Sequence, residues 1–100
     1  FGDVKVTMLN AERPCKTSLD SKISSIAVKA AEATYQCEPS VWPILPGSGP
    51  MALFVKDLGI PTVCTGVGYY NAREHAPNEN IRVEDLLLGI EYIARIIESF

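Results

Sequence analysis

Apolar and polar positions fall into six blocks along the chain, alternating between a period of two and a period near 3.6. Val4, Val6 and Met8 alternate with Lys5, Thr7 and Leu9, which predicts a strand with one wetter face. Asn10-Ala11-Glu12-Arg13-Pro14 ends it, and a polar connection follows in which Ser18 or Asp20 suits a helix N-cap. Ile23, Ile26, Ala27, Ala30, Ala31 and Thr34 then share one face at helical spacing, with Lys22, Lys29 and Glu32 outside it. This predicts an amphipathic helix of about four turns. Cys37-Glu38-Pro39-Ser40 breaks it. Val41-Trp42-Pro43-Ile44-Leu45 reads as an edge or partial strand, because Pro43 has no amide to give a ladder. After Pro46-Gly47-Ser48-Gly49-Pro50 a short helix is expected from Gly49 or Pro50, with Ser48 as N-cap and Gly59 as its left-handed stop. Residues 60–65, β-branched with Pro61 at the start, form the third strand candidate. From residue 82 to residue 100, Val83, Leu86, Leu87, Ile90, Ile93, Ala94 and Ile97 line the face of a last helix. Glu84 and Asp85 in its first turn and Arg95 near its end agree in sign with the helix dipole.

The order β-α-β-α-β-α, with no internal repeat, predicts an α/β layer on a largely parallel sheet. In such folds ligands bind outside the carboxyl ends of the strands, which directs attention to the polar loop at residues 66–80. That loop holds the chain's single histidine, His75.

Composition narrows the choices. The chain has 100 residues, at most one domain, and a hydrophobic fraction of 47% that can supply a core. A formal net charge of -3 and scattered basic residues disfavour nucleic acid as a partner. Three cysteines without a close-spaced pair fit a reducing, cytoplasmic compartment better than a disulfide framework. No run approaches the roughly 20 apolar residues a membrane span needs, and the start has no basic-then-apolar leader, so no membrane association is expected. Opening on Phe1-Gly2-Asp3, the sequence reads as a processed product or a fragment. A chain this short with an unfilled sheet edge would lean on a partner.

Several groups can carry chemistry. Histidine is the side-chain type whose unperturbed titration lies near neutral pH, and His75 is the best metal-ligand type in the loop, although a metal site needs several ligands and a surface histidine is the plainer alternative. Gly47, Ser48 and Gly49 permit close backbone approach beside a helix start, an arrangement that suits an anion such as a carboxylate and equally an ordinary helix cap. Gly66-Val67-Gly68 lacks the third glycine of a dinucleotide fingerprint. Glu74 and Glu79 bracket His75 as acid–base groups, as partners orienting an imidazole, or as solvated carboxylates. Tyr69, Tyr70 and Arg73 suit either substrate contact or packing against the loop's base.

Taken together, Gly47-Ser48-Gly49-Pro50-Met51, Leu58-Gly59-Ile60-Pro61-Thr62-Val63, Gly66-Val67-Gly68-Tyr69, Ala72-Arg73, His75-Ala76-Pro77-Asn78-Glu79-Asn80-Ile81-Arg82 and Gly89-Ile90 carry a resemblance. They resemble the C-terminal end of the metallopeptidase family of acetylornithine deacetylases, succinyl-diaminopimelate desuccinylases, aminoacylases, glutamate carboxypeptidases and dipeptidases. The resemblance covers nearly the whole chain and is strongest from residue 47 to residue 82. It implies that residues 1–10 are the last strand of a lid and dimerisation domain and that residues 11–100 are the C-terminal part of a layered α/β catalytic domain. It implies further that His75 is a ligand of one zinc in a two-metal site, with cobalt or manganese as alternatives. Gly47, Ser48 and Gly49 would lie beside the substrate carboxylate, and Glu79 would support the site without ligating.

The family's upstream His-x-Asp motif, bridging Asp, Glu-Glu pair and further carboxylate ligand do not occur here. An arginine common before the glycine-serine segment is replaced by Trp42-Pro43-Ile44-Leu45-Pro46. The implied function is the C-terminal part of a metal-dependent amide hydrolase, a deacylase or a carboxypeptidase/dipeptidase, acting on N-acyl amino acids or small peptides. A two-metal site works only when fully assembled, so the chain alone is expected to be inactive and to need the rest of the catalytic domain as partner. A homo-oligomer is also expected. The alternatives are a non-catalytic binding or oligomerisation module, and a regulatory domain that uses the glycine-serine segment as an anion site.

Overall fold

Two helices packed on one another carry the core of the computed structural model, which describes residues 2–45 and 47–100. Phe1 and Pro46 lie outside the described residues, and with them the expected chain start and the proline before Gly47. Helix α1 spans Lys22–Tyr35. Its N-cap is Ser21, not Ser18 or Asp20: the Ser21 side chain accepts from the Ser24 amide at 3.3 Å. Ser18 acts one step earlier, its carbonyl accepting from the Ser21 amide and the Ser24 hydroxyl. Gln36 ends α1 in the left-handed region at φ 53° and donates its amide to the Glu32 carbonyl. Ile26, Ala27, Ala30, Ala31 and Thr34 are buried, the face that the sequence periodicity predicts.

Helix α2, Val83–Glu98, runs back along α1. Lys22 at the start of α1 meets Phe100 beyond the end of α2, donating to its carbonyl at 3.3 Å and lying 5.0 Å from its ring centroid. At the other end of α1, the Tyr35 and Tyr92 rings sit 5.8 Å apart and tilted. The alanines of α1 allow the helices to close on Tyr92 and Ile96, and Ile23 and Val63 pack at the margin. Among the described residues the Thr34 hydroxyl, buried in this region, has no hydrogen-bond partner.

The buried face of α2 is not the one its periodicity picks out. Gly89, Tyr92 and Ile96 are buried, whereas Leu86, Leu87, Ile90, Ile93 and Ile97 are exposed. Since successive residues turn by about 100°, the packed stripe lies one residue, and so about 100°, from the larger apolar stripe. The helix is apolar on two faces, and α1 covers the narrower.

The expected short helix is a turn that begins at Met51 and widens into a π-helical segment at Leu53–Asp57. No side chain caps it, so Ser48 is not its N-cap. Gly59 does adopt the left-handed conformation, at φ 67°. The Leu58 amide donates to Leu53 at 3.1 Å and the Ile60 amide to Phe54 at 2.8 Å, a wide C-terminal turn that satisfies the last carbonyls.

The α/β layer is not formed. Among the described residues there are helices and turns and no strand. Residues 4–9, 41–45 and 60–65 have strand-like patterns but no neighbouring backbone completes a ladder. Val4, Val6, Met8 and Leu9 are 80–93% exposed. A strand depends on distant pairing in a way that a helix does not, because each of its amides and carbonyls must find a partner on another segment. The Thr62 amide finds a side chain instead, the Thr17 hydroxyl at 3.0 Å. The Arg13 Nη2 donates to both carboxylate oxygens of Asp57, at 2.7 and 2.6 Å, so the N-terminal arm is tied to the π-helical turn. That guanidinium holds the Asp57 carboxyl below the ordinary aspartate range.

The result is an open molecule. Its radius of gyration is 17.1 Å, against about 13 Å for a compact domain of this length. Its accessible surface is 8440 Å², against about 5,600 Å² for a compact protein of this mass.

Candidate functional site

The loop at residues 66–80 is wound on itself by hydrogen bonds. The Ala72 amide donates to Tyr69, Ala76 to Arg73 and Glu79 to Ala76, at 2.9, 3.0 and 3.2 Å, so the chain makes successive tight turns. Asn80 then closes the loop. Its amide donates to Ala72 at 3.0 Å, its carboxamide donates to the carbonyls of Asn78 at 3.0 Å and Asn71 at 3.3 Å, and its Oδ1 accepts from the Tyr69 hydroxyl at 2.5 Å. Ala72, buried at 4% exposure, is the inner anchor.

Two contacts seat the loop on α2. Val67 fills the notch left by Gly89, where an added Cβ would collide with the valine Cγ1. The Arg82 guanidinium lies 4.8 Å from the Tyr69 ring centroid and is held by Asp85 of α2 through bonds of 2.5 and 2.8 Å. The Asp85 hydrogen bond raises the Arg82 pKa further above its ordinary value. Glu74 folds against Gly68, so a Cβ there would meet its carboxylate.

His75 sits in a turn of this loop, exposed, with a positive φ of 61°. Arg73 at 55° and Asn78 at 63° share that conformation. Non-glycine residues held there cost about 1–3 kcal/mol each and persist only where the surroundings impose them. Three within six residues mark a loop shaped by its hydrogen bonds. Among the described residues the imidazole forms no hydrogen bond, so the nitrogen lone pair of its neutral form is open to a ligand.

Among the described residues the remaining predicted site residues form no hydrogen bond with it. Gly47 and Ser48 are exposed and Gly49 half-buried, and no hydrogen bond or ion pair joins them to His75. Glu79 contributes its backbone amide to the loop, and its carboxylate is exposed. Among the described residues no group of three or more His, Cys, Asp or Glu side chains is arranged to hold a metal ion. The donor chemistry at His75 fits one coordination position of a divalent metal, and the other ligands are not supplied here. Asn80 is the residue that sequence reasoning missed. A loop with several asparagines needs internal bonding, but nothing in the spacing separates Asn80 from Asn71 or Asn78.

A family model described as peptidase family M20/M25/M40 matches residues 2–99. The chain belongs to this family. Among solved structures, an M20 family metallo-carboxypeptidase from Sulfolobus solfataricus is similar, with 36% sequence identity and a TM-score of 0.81. The match covers 88% of this chain and 21% of the carboxypeptidase, so the chain spans about a fifth of that protein's length. No match was found among curated proteins. Membership in the M20/M25/M40 family bears out the metallopeptidase resemblance read from the residues around His75. The TM-score shows that the backbone path over the matched part of the chain is similar to that of the carboxypeptidase. Among the described residues no helix is long and apolar enough to cross a membrane.

Proposed function

We propose that this chain is the C-terminal part of the catalytic domain of a metal-dependent amide hydrolase, a carboxypeptidase, dipeptidase or deacylase, in which His75 is one metal ligand. The observation that carries the reading is a single exposed imidazole on a hydrogen-bonded loop, in a chain matched to the M20/M25/M40 family over residues 2–99. A divalent ion bound there, zinc first and cobalt or manganese as alternatives, supplies Lewis-acid polarisation of the scissile carbonyl and activation of water. His75 offers a nitrogen lone pair to the ion and Glu79 supports the site from behind. Gly47, Ser48 and Gly49 bind the substrate carboxylate through close backbone approach, which orients the amide relative to the imidazole. N-acyl amino acids and small peptides fit this division of labour.

The remaining ligands come from the rest of the catalytic domain. That domain also covers the apolar stripe of α2, while the lid and dimerisation domain takes up the exposed arm at residues 4–9, consistent with a surface far larger than a compact chain shows. The test is the zinc content of the native protein with and without His75→Ala. Loss of one equivalent supports the reading, and unchanged stoichiometry refutes it.

The same exposed surface favours a second reading, a non-catalytic module that assembles with further copies through its apolar faces. In that case zinc is absent and His75→Ala leaves assembly unchanged.

A further inference from the structure

We infer that Asn80, acting with Tyr69, is the positioning residue that fixes the direction in which His75 is presented, an inference that rests on His75 being a metal ligand. Asn80 crosses the loop with its backbone amide and with both ends of its carboxamide. Its amide holds Ala72, its carboxamide donates to the carbonyls of Asn71 and Asn78 on the two sides of His75, and its Oδ1 receives the Tyr69 hydroxyl. These bonds convert residues 69–80 into a closed ring with His75 in one of its turns.

The ring is also anchored outside itself. Tyr69 lies beneath the Arg82 guanidinium, Arg82 is clamped by Asp85 in the first turn of α2, and Val67 is lodged at Gly89 about one turn further on. The left-handed conformations of Arg73, His75 and Asn78 fall inside the ring; asparagine and histidine enter that region more readily than other side chains, and Arg73 is the one of the three for which the ring's bonds most have to impose it. Glu79, next in sequence to Asn80, joins the network through its backbone amide. Groups that orient a metal ligand indirectly change metal affinity by about 10- to 100-fold when removed. A ligand whose imidazole has no hydrogen bond of its own depends on its backbone for that orientation.

The test uses the native protein with Asn80→Ala, Asn80→Asp, Tyr69→Phe and His75→Ala. The readouts are amide hydrogen exchange over residues 72–80, the thermal midpoint of the helices, and zinc affinity by chelator competition. Asn80→Ala is expected to speed exchange at Ala76 and Glu79, to weaken zinc about tenfold, and to leave α1 and α2 exchange and the midpoint unchanged. Asn80→Asp keeps the acceptor for Tyr69 but sets a carboxylate oxygen against the Asn71 and Asn78 carbonyls, so its loop exchange should be at least as fast as in Asn80→Ala, whereas Tyr69→Phe loses one bond and should fall between wild type and Asn80→Ala. The milder Tyr69→Phe keeps the test valid if Asn80→Ala fails to fold. Unchanged loop exchange in Asn80→Ala overturns the inference. Zinc lost in His75→Ala but unweakened in Asn80→Ala overturns it while leaving the ligand assignment standing. Zinc unaffected by either substitution overturns both.

Discussion

Gly89→Ala separates a helix effect from a packing effect at the point where the His75 loop meets α2. In a helix interior, alanine is favoured over glycine by about 1 kcal/mol, so the change would ordinarily stabilise α2. Here the new methyl would occupy the space of the Val67 Cγ1, with the Val67 Cβ at 3.5 Å behind it. Valine is stiff at χ1 and cannot swing aside cheaply. Overpacking of this kind costs about 1–3 kcal/mol, so the net effect is a destabilisation of about 0–2 kcal/mol. The cost disappears if Val67 is first shortened, and Gly89→Ala in a Val67→Ala background should then stabilise by up to about 1 kcal/mol. A double-mutant cycle read by urea unfolding at 222 nm therefore predicts a coupling of about 1–3 kcal/mol between the two sites. Additivity within about 0.5 kcal/mol, with Gly89→Ala stabilising in both backgrounds, would refute the contact and detach the loop from the helix.

Thr34→Val removes a buried hydroxyl that has no partner among the described residues and keeps the side-chain shape, so it should stabilise the helix pair by about 1–2 kcal/mol, read as a higher urea midpoint. The bond to Arg13 lowers the folded pKa of Asp57 below 3.8. Its contribution is therefore present above that value and lost as pH falls through the folded pKa, so amide protection in the arm at residues 13–17, taken relative to the intrinsic exchange rate at each pH, should fall in acid, and Asp57→Asn should remove that fall. Burial and the neighbouring Tyr92 raise the Tyr35 pKa. The helix pair should thus hold below pH 10 and weaken as pH rises through the Tyr35 transition, a loss that Tyr35→Phe removes.

What the sequence made legible is what local chemistry decides. The face of α1 follows from six residues at helical spacing, and the left-handed stop from Gly59, where the absence of a Cβ makes a positive φ cheap. The loop at residues 66–80 was identified by its polarity and by His75. Its internal bonding was not, since three asparagines offer the same donors and acceptors and only the folded path selects Asn80. The cap of α1 shows the same limit on a smaller scale. Ser18, Asp20 and Ser21 all carry a capping oxygen, and a turn closed by the Ser18 carbonyl hands the role to Ser21.

The predicted α/β layer failed for a related reason, and α2 shows why. Alternation at residues 4–9 and the broad apolar stripe of α2 both report surfaces that avoid water, but neither states what will cover them. In α2 the widest stripe, through Leu86, Ile90 and Ile93, remains exposed, while Gly89, Tyr92 and Ile96 bury themselves against alanines of α1. Small residues at a close helix contact contribute little to a hydrophobicity pattern, yet they permit the approach that buries Tyr92. Periodicity therefore ranks faces by apolar area, whereas packing ranks them by fit. The paired helices establish a scaffold on which Val67, Tyr69 and Arg82 seat the His75 loop, and that seating is independent of the pairing that residues 4–9, 41–45 and 60–65 lack.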